Sequence, residues 1–250
     1  MQFAQNIRIV TNTVKRKTRI ALCAGLWQNI MHSEVTPMKE RKITFRIILN
    51  TATALLVILG IFVMLRNKAS ATGLTTSGWK NLRYYTTLSN VFAGIVALIQ
   101  VIFDLVKKKY LRVLKLTAVT AVTLTFLVVA CFFGPLYGWL NLYQGSNLEF
   151  HLIVPLLCIA EFLTVGDAEG LKVKHCMLAS LSTVVYGTAY VINILINGKG
   201  KWPDTNDWYG FLNWGPAPGA IIFACIIGAA FGVACLLVKI KTGRKKRGKN

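Results

Sequence analysis

Residues 43–65 read ITFRIILNTATALLVILGIFVML, a run of twenty-three with a single charge, Arg46. A bilayer hydrocarbon core is ~30 Å thick, so roughly 20 apolar residues at helical rise are enough to cross it. This stretch is therefore read as a transmembrane helix. Five more runs of the same kind follow, at about 84–106, 113–133, 148–165, 175–196 and 217–238. The fourth is the shortest and holds His151, Pro155 and Glu161. It is kept as a span because losing it would leave an odd number and break the charge pattern. The expected fold is all-α: a polytopic transmembrane bundle of six spans, with the transmembrane domain over residues 38–238.

Composition agrees with that reading. Hydrophobic residues make up 54% of the 250, charged residues 15%, and mean hydropathy is +0.53. Soluble domains carry about 25% charged residues. The net charge of +20 would fit a nucleic-acid binder. However, the Lys and Arg residues fall at the ends of the spans and no nucleic-acid motif accompanies them. Cys131, Cys158, Cys225 and Cys235 lie inside apolar runs with no CxxC pair, so they are read as small hydrophobes. There is no Walker loop, dinucleotide fingerprint or metal-ligand cluster, hence no expected cofactor or metal.

Lys and Arg accumulate in short cytoplasmic loops. They crowd before the first span (Lys39, Arg41, Lys42), between the second and third (Lys107, Lys108, Lys109, Arg112, Lys115) and between the fourth and fifth (Lys172, Lys174). They crowd again after the sixth, from Lys239 onward. Interfacial aromatics gather on the other side, among them Trp79, Tyr84, Tyr85, Trp139, Trp202, Trp208, Tyr209 and Trp214. Both termini are thus expected in the cytoplasm and the chain in the cell membrane. Residues 1–37 are polar and basic, without a signal-peptide pattern. They read either as an upstream extension from a mis-assigned start, since Met38 opens MKERKITFRIIL, or as an amphipathic surface segment. Residues 239–250 are expected to be a disordered basic tail on anionic lipid. Gly228 and Gly232, four apart on the sixth span, are read as small-residue packing within the chain.

Polar groups within spans are costly and need a reason. The entrance of span two holds Arg83, Thr86, Thr87, Ser89 and Asn90; span four holds Glu149, His151 and Glu161. At 1.5 Å per residue Glu161 lies ~15 Å from His151, near the bilayer middle. Spans two and four run in the same direction, so Thr86 and His151 sit at similar depth near the outer surface. A hydroxyl and an imidazole there could form a nucleophile and base, with helix N-terminal N–H groups stabilising an oxyanion. The plainer reading is a helix-capping Thr and a hydrogen-bonded core His.

Three stretches carry a resemblance: LRYYTTLSN (82–90), FHLIVPLLCIAEF (150–162) and WYGFLNWGPAPG (208–219). Over about residues 43–238 the chain resembles bacterial predicted six-span membrane proteins related to the eukaryotic androgen-induced membrane proteins. Those relatives include threonine hydrolases of fatty-acid esters of hydroxy fatty acids. The resemblance implies Thr86 as nucleophile and His151 as base, with a lipid ester as substrate. Arg83, Ser89, Asn90, Glu161, Trp208 and Tyr209 would form the supporting polar pocket. The chain departs from the family pattern at Gly210, where Pro is usual, and at Glu161, where bacterial relatives often have Asp. The Pro following the His is also spaced differently. The rival readings are a small-solute transporter with a polar path past His151 and Glu161, and an accessory protein without chemistry. Membrane lipids are the expected surroundings, nucleic acid is not an expected partner, and the oligomeric state stays open.

Overall fold

The computed structural model describes residues 40–66, 78–138, 142–201 and 205–247, and there are no strands among them. The extension over residues 1–37 lies outside these. The chain divides into two compact units, Met1–Phe45 and Arg46–Asn250. The boundary falls within the first long helix, and every later element belongs to the second unit.

Six helices are long and apolar enough to cross a membrane: α1 (Glu40–Arg66), α2 (Tyr85–Leu105), α3 (Arg112–Phe133), α4 (Ser146–Thr164), α5 (Val173–Asn197) and α6 (Pro216–Gly243). Each falls where the sequence pattern predicts a span. Ile48, Leu55, Ile58, Leu59 and Phe62 of α1 and Leu181, Val185, Ile192 and Leu195 of α5 are exposed, the pattern of helices solvated by lipid rather than water. Turns of 3-10 helix, Gly78–Arg83 and Phe211–Trp214, lead into α2 and α6. One end of the bundle, the basic end, carries the α2–α3 and α4–α5 connections with their lysines. The other, with Trp79, Trp208, Tyr209 and Trp214, is the aromatic end.

The central helix is α3, which packs against α2, α4, α5 and α6. Its core residues Leu116, Val119 and Val122 meet Val57, Val96, Val154 and Phe162. Backbones approach closely where a side chain is missing. A Cβ at Gly94 would stand 2.9 Å from Val57 Cγ1, and one at Gly187 would stand 1.8 Å from Phe223 Cε2. These contacts seat α1 on α2 and α6 on α5.

Near the aromatic end both α3 and α4 widen into π turns, at Val129–Phe133 and Glu149–Ile153. Each precedes a proline, Pro135 and Pro155. Proline has no N–H to donate, and its ring crowds the carbonyl four residues back. The turn therefore loosens to a wider spacing, a feature common at functional sites.

Two expectations are corrected along α6. The helix does not stop at Lys239 but runs to Arg247. Lys and Arg are good helix formers and suit the negative C-terminal end of the helix dipole. Lys241 also ties α6 down, donating from Nζ to the carbonyls of Leu163 (3.0 Å) and Thr164 (2.9 Å), which closes the C-terminus of α4. Among the described residues Gly228 and Gly232 do not serve packing within the chain, because added Cβ atoms there would meet nothing within 4 Å.

Candidate functional site

The aromatic end assembles most of the residues the sequence singles out. α2 starts at Tyr85 without a side-chain cap, and Thr86 is its second residue. The Thr86 carbonyl accepts from Ser89 Oγ (3.0 Å) and Asn90 Nδ2 (2.7 Å). The same Asn90 nitrogen donates to the carbonyl of Phe150 (3.0 Å). One amide thus pins the Thr86 turn of α2 to the residue before His151 in α4, and the two lie at one level, as expected. His151 is buried in the π turn, and its Nδ1 donates to the carbonyl of Leu142 at 2.7 Å. Leu142 is held by Val129 and Phe133 of the other π turn. Because a carbonyl can only accept, Nδ1 carries the proton, and in the neutral ring Nε2 keeps its lone pair.

Among the described residues no hydrogen bond joins Thr86 Oγ1 to His151. The direct nucleophile–base contact anticipated from shared depth is absent. Of the two helix starts, α2 alone offers N-terminal N–H groups beside its candidate residue. The backbone N–H groups of Thr86 and Thr87 lie in the first turn of α2, ahead of the bond from the Leu88 N–H to the Tyr84 carbonyl (3.1 Å), where helix N–H groups lack an intrahelical partner, whereas His151 sits a turn and more inside α4.

A cavity of about 720 Å³ opens beside Thr86, between α3, α5 and α6. That is within the range of ligand sites. Its walls are apolar: Leu124, Val128, Phe132, Phe211, Pro218, Ile221, Ile222 and Ile226 among others. Its polar groups come from Tyr85, Thr86, Thr125, Thr183, Tyr186, Tyr190 and Tyr209. Thr86 lines it and Thr87 does not. The tyrosines form one network. Tyr209 OH accepts from the Tyr85 N–H (2.7 Å), and Tyr85 OH meets Thr183 Oγ1 (2.9 Å). Tyr186 OH donates to the Arg83 carbonyl (2.6 Å) and accepts from Trp208 Nε1 (3.1 Å). Burial, with Tyr186 beside it, pushes the Tyr209 phenol well above its ordinary range, so it stays neutral. Arg83 lies over Trp208 at 5.5 Å and Tyr84 at 5.3 Å. Tyr190 bonds to Asp207, whose other oxygen accepts from the Leu212 N–H (3.0 Å).

Thr86, His151, Arg83, Ser89, Asn90, Trp208 and Tyr209 therefore gather at one end. Glu161 does not. It sits in the last turn of α4, at the basic end rather than halfway along the bundle. There Glu161 Oε2 pairs with Lys115 Nζ (3.0 Å) and accepts from Tyr110 OH (3.3 Å), while Oε1 accepts from Asn50 Nδ2 (3.4 Å). Lys115 also donates to Asn50 Oδ1 (2.5 Å). Beside this, Arg46 forms a two-pronged pair with Asp104, which accepts from Gln100 Nε2 at 2.9 Å. All of these residues but Tyr110 are at most 9% exposed. Tyr110 is itself held well above the ordinary phenol range, first by burial and then by Glu161. Two cations and two carboxylates cancel, as buried charges must. Lys115, read from sequence as a loop cation, points inward from the first turn of α3. The signal for this cluster was present in Arg46/Asn50 and Gln100/Asp104, polar pairs four apart inside apolar spans.

Six apolar helices with lipid-facing surfaces and their charges paired inside define a multi-pass integral membrane protein. The chain matches no protein-family model, no curated protein and no solved structure. Among the described residues no group of His, Cys, Asp or Glu is arranged to hold a metal ion.

Proposed function

We propose that the protein is a membrane-embedded hydrolase of a lipid ester, with Thr86 as nucleophile and His151 as general base. In this reading it lies in the cell membrane with both termini cytoplasmic and belongs to the six-span family it resembles. The observation that carries the proposal is the cavity, a chamber of about 720 Å³ with largely apolar walls whose lining includes Thr86 among a few other polar residues. Such a chamber suits an acyl chain, with its ester held at the hydroxyl.

The chemistry runs in two stages. Thr86 Oγ1 attacks the ester carbonyl carbon and its proton passes to His151 Nε2. The first-turn N–H groups of Thr86 and Thr87, at the positive end of α2, donate to the oxyanion. One such donor contributes about 10²–10³ in rate. The carbon–alkoxide bond breaks and the alcohol leaves with the proton from His151. Water then cleaves the threonyl ester, giving its proton to His151, and Thr86 recovers one.

A solute path past His151 and Glu161 has less support. The inward face of α4 between them is Val154, Pro155 and Cys158, all buried, and Glu161 is fully engaged. The deciding experiment is labelling with a fluorophosphonate probe, mapped to a residue by mass spectrometry. The proposal expects modification at Thr86. A folded protein that resists the probe and cleaves no acyl ester would remove it.

A further inference from the structure

Asn90 is completely buried. Both protons of its Nδ2 are committed, to Thr86 O and Phe150 O. Its Oδ1 has no donor among the described residues. A buried acceptor of this kind calls for a partner. The neighbouring hydroxyls cannot supply one. The Ser89 proton goes to Thr86 O or Thr125 Oγ1, and the Thr125 proton to Ala121 O. The His151 Nδ1 proton is spent on Leu142. Neutral His151 Nε2 is a second acceptor without a partner among the described residues, so it cannot serve Asn90. Thr86 has a free hydroxyl, but its single proton can satisfy only one of the two acceptors.

We propose that Thr86, Asn90 and His151 together hold one buried water, which accepts from Thr86 Oγ1–H and donates to Asn90 Oδ1 and His151 Nε2. Three hydrogen bonds are the usual complement of a buried water, and the protons balance. Asn90 Nδ2 holds the Thr86 turn of α2 beside the α4 turn that carries Phe150 and His151, and these two turns carry all three groups. The site rests on the hydrolase reading for its role. The Thr86 proton passes to the water while a water proton passes to Nε2, and the water is regenerated. Asn90 is then a positioning residue, acting through the water on the nucleophile and the base.

Two measurements test this, the first independent of the hydrolase assignment and the second addressing the relay within it. The first is a structure in nanodiscs at a resolution that shows ordered water. A peak within hydrogen-bond reach of Asn90 Oδ1 and His151 Nε2 is expected. A protein donor on Oδ1, or a direct Thr86–His151 bond, overturns the site. The second is p-nitrophenyl octanoate hydrolysis in mixtures of light and heavy water. Two protons in flight give a curved dependence of kcat on deuterium fraction, and a linear dependence overturns the relay. Asn90→Ala should lower kcat about 100-fold with KM nearly unchanged, and should abolish the curvature. Asn90→Asp keeps the acceptor but gives up both Nδ2 donors to the Thr86 and Phe150 carbonyls, so kcat should fall while the turnover that remains keeps the curvature. If both variants fail to fold, the wild-type peak decides. A protein that is inert to ester and fluorophosphonate but shows the peak loses the hydrolase reading and keeps the site. An active, labelled protein without the peak does the reverse.

Discussion

Thr86 and Thr87 are adjacent, yet only Thr86 faces the cavity, because successive residues on a helix point about 100° apart. Thr86→Ala is therefore expected to abolish fluorophosphonate labelling and ester turnover while the protein stays folded. Thr86→Ser keeps the hydroxyl, loses a methyl, and should keep part of the activity. Thr87, buried at 5% exposure, is the control. Its alanine variant should be labelled at a rate within about threefold of wild type and lose only the ~1 kcal/mol typical of a buried truncation. Labelling rates and thermal unfolding of the three variants check this, and a fully labelled Thr86→Ala protein would reassign the nucleophile. Polarity in the sequence put Thr86 and His151 at the same end of two parallel spans, and in the structure Asn90 joins the turns that carry them without any direct bond between the two side chains among the described residues. What polarity left out is the amide between them. Asn90 reads as one more polar residue until its two donor bonds and its free oxygen are seen in space. Glu161 misled for a related reason, because rise per residue gives distance along a helix but not where the helix ends.

At the scale of the element, hydropathy predicted all six helices because a bilayer-spanning helix must be apolar over its whole length. It is silent on the π turns, which depend on where prolines fall and on what packs against the loosened turn. The α4 π turn carries His151, so its shape sets where the imidazole points. Pro155→Ala restores an N–H that can reach the carbonyl four residues back, that of His151, and should tighten the turn toward regular helix. The protein is expected to remain folded, while His151 swings away from Leu142 and Thr86 labelling slows on the order of 100-fold, the penalty of an ångström-scale misplacement. Unchanged labelling would show that the π turn is incidental to the chemistry. The α5–α6 contact makes a second test. Gly187 lines the cavity, and a methyl there would run into the Phe223 ring. Gly187→Ala should destabilise by about 1–3 kcal/mol through overpacking. Denaturant titration in mixed micelles measures it.

Across the whole molecule, the two ends of the bundle are built for different tasks. The aromatic end is open beside a chamber, whereas the basic end is locked by paired charges from α1, α2, α3 and α4. The sequence shows the excess of lysines at that end, which favours a cytoplasmic setting. A reporter active only in the cytoplasm should therefore work after Asn250 or between Lys107 and Arg112, and fail near Asn141. The sequence does not show that Lys115 differs from its neighbours, because pairing with Glu161 is a property of three-dimensional approach. That pairing gives the last prediction. Glu161→Leu removes the carboxylate and leaves the buried Lys115 cation with only Asn50 as a partner. Breaking a buried pair from one side costs about 3–5 kcal/mol. Glu161→Gln keeps an acceptor for Tyr110 and Lys115, so it should lose less than the Leu variant. Removing both charges, in Lys115→Met with Glu161→Leu, eliminates the stranded cation and the desolvation of both ions. The double variant should recover most of the loss, since apolar replacement of a buried pair is often neutral. Unfolding free energies of the three variants form the test. A double variant as unstable as Glu161→Leu would mean that the hydrogen bonds to Asn50 and Tyr110, rather than the charge balance, hold the four helices together.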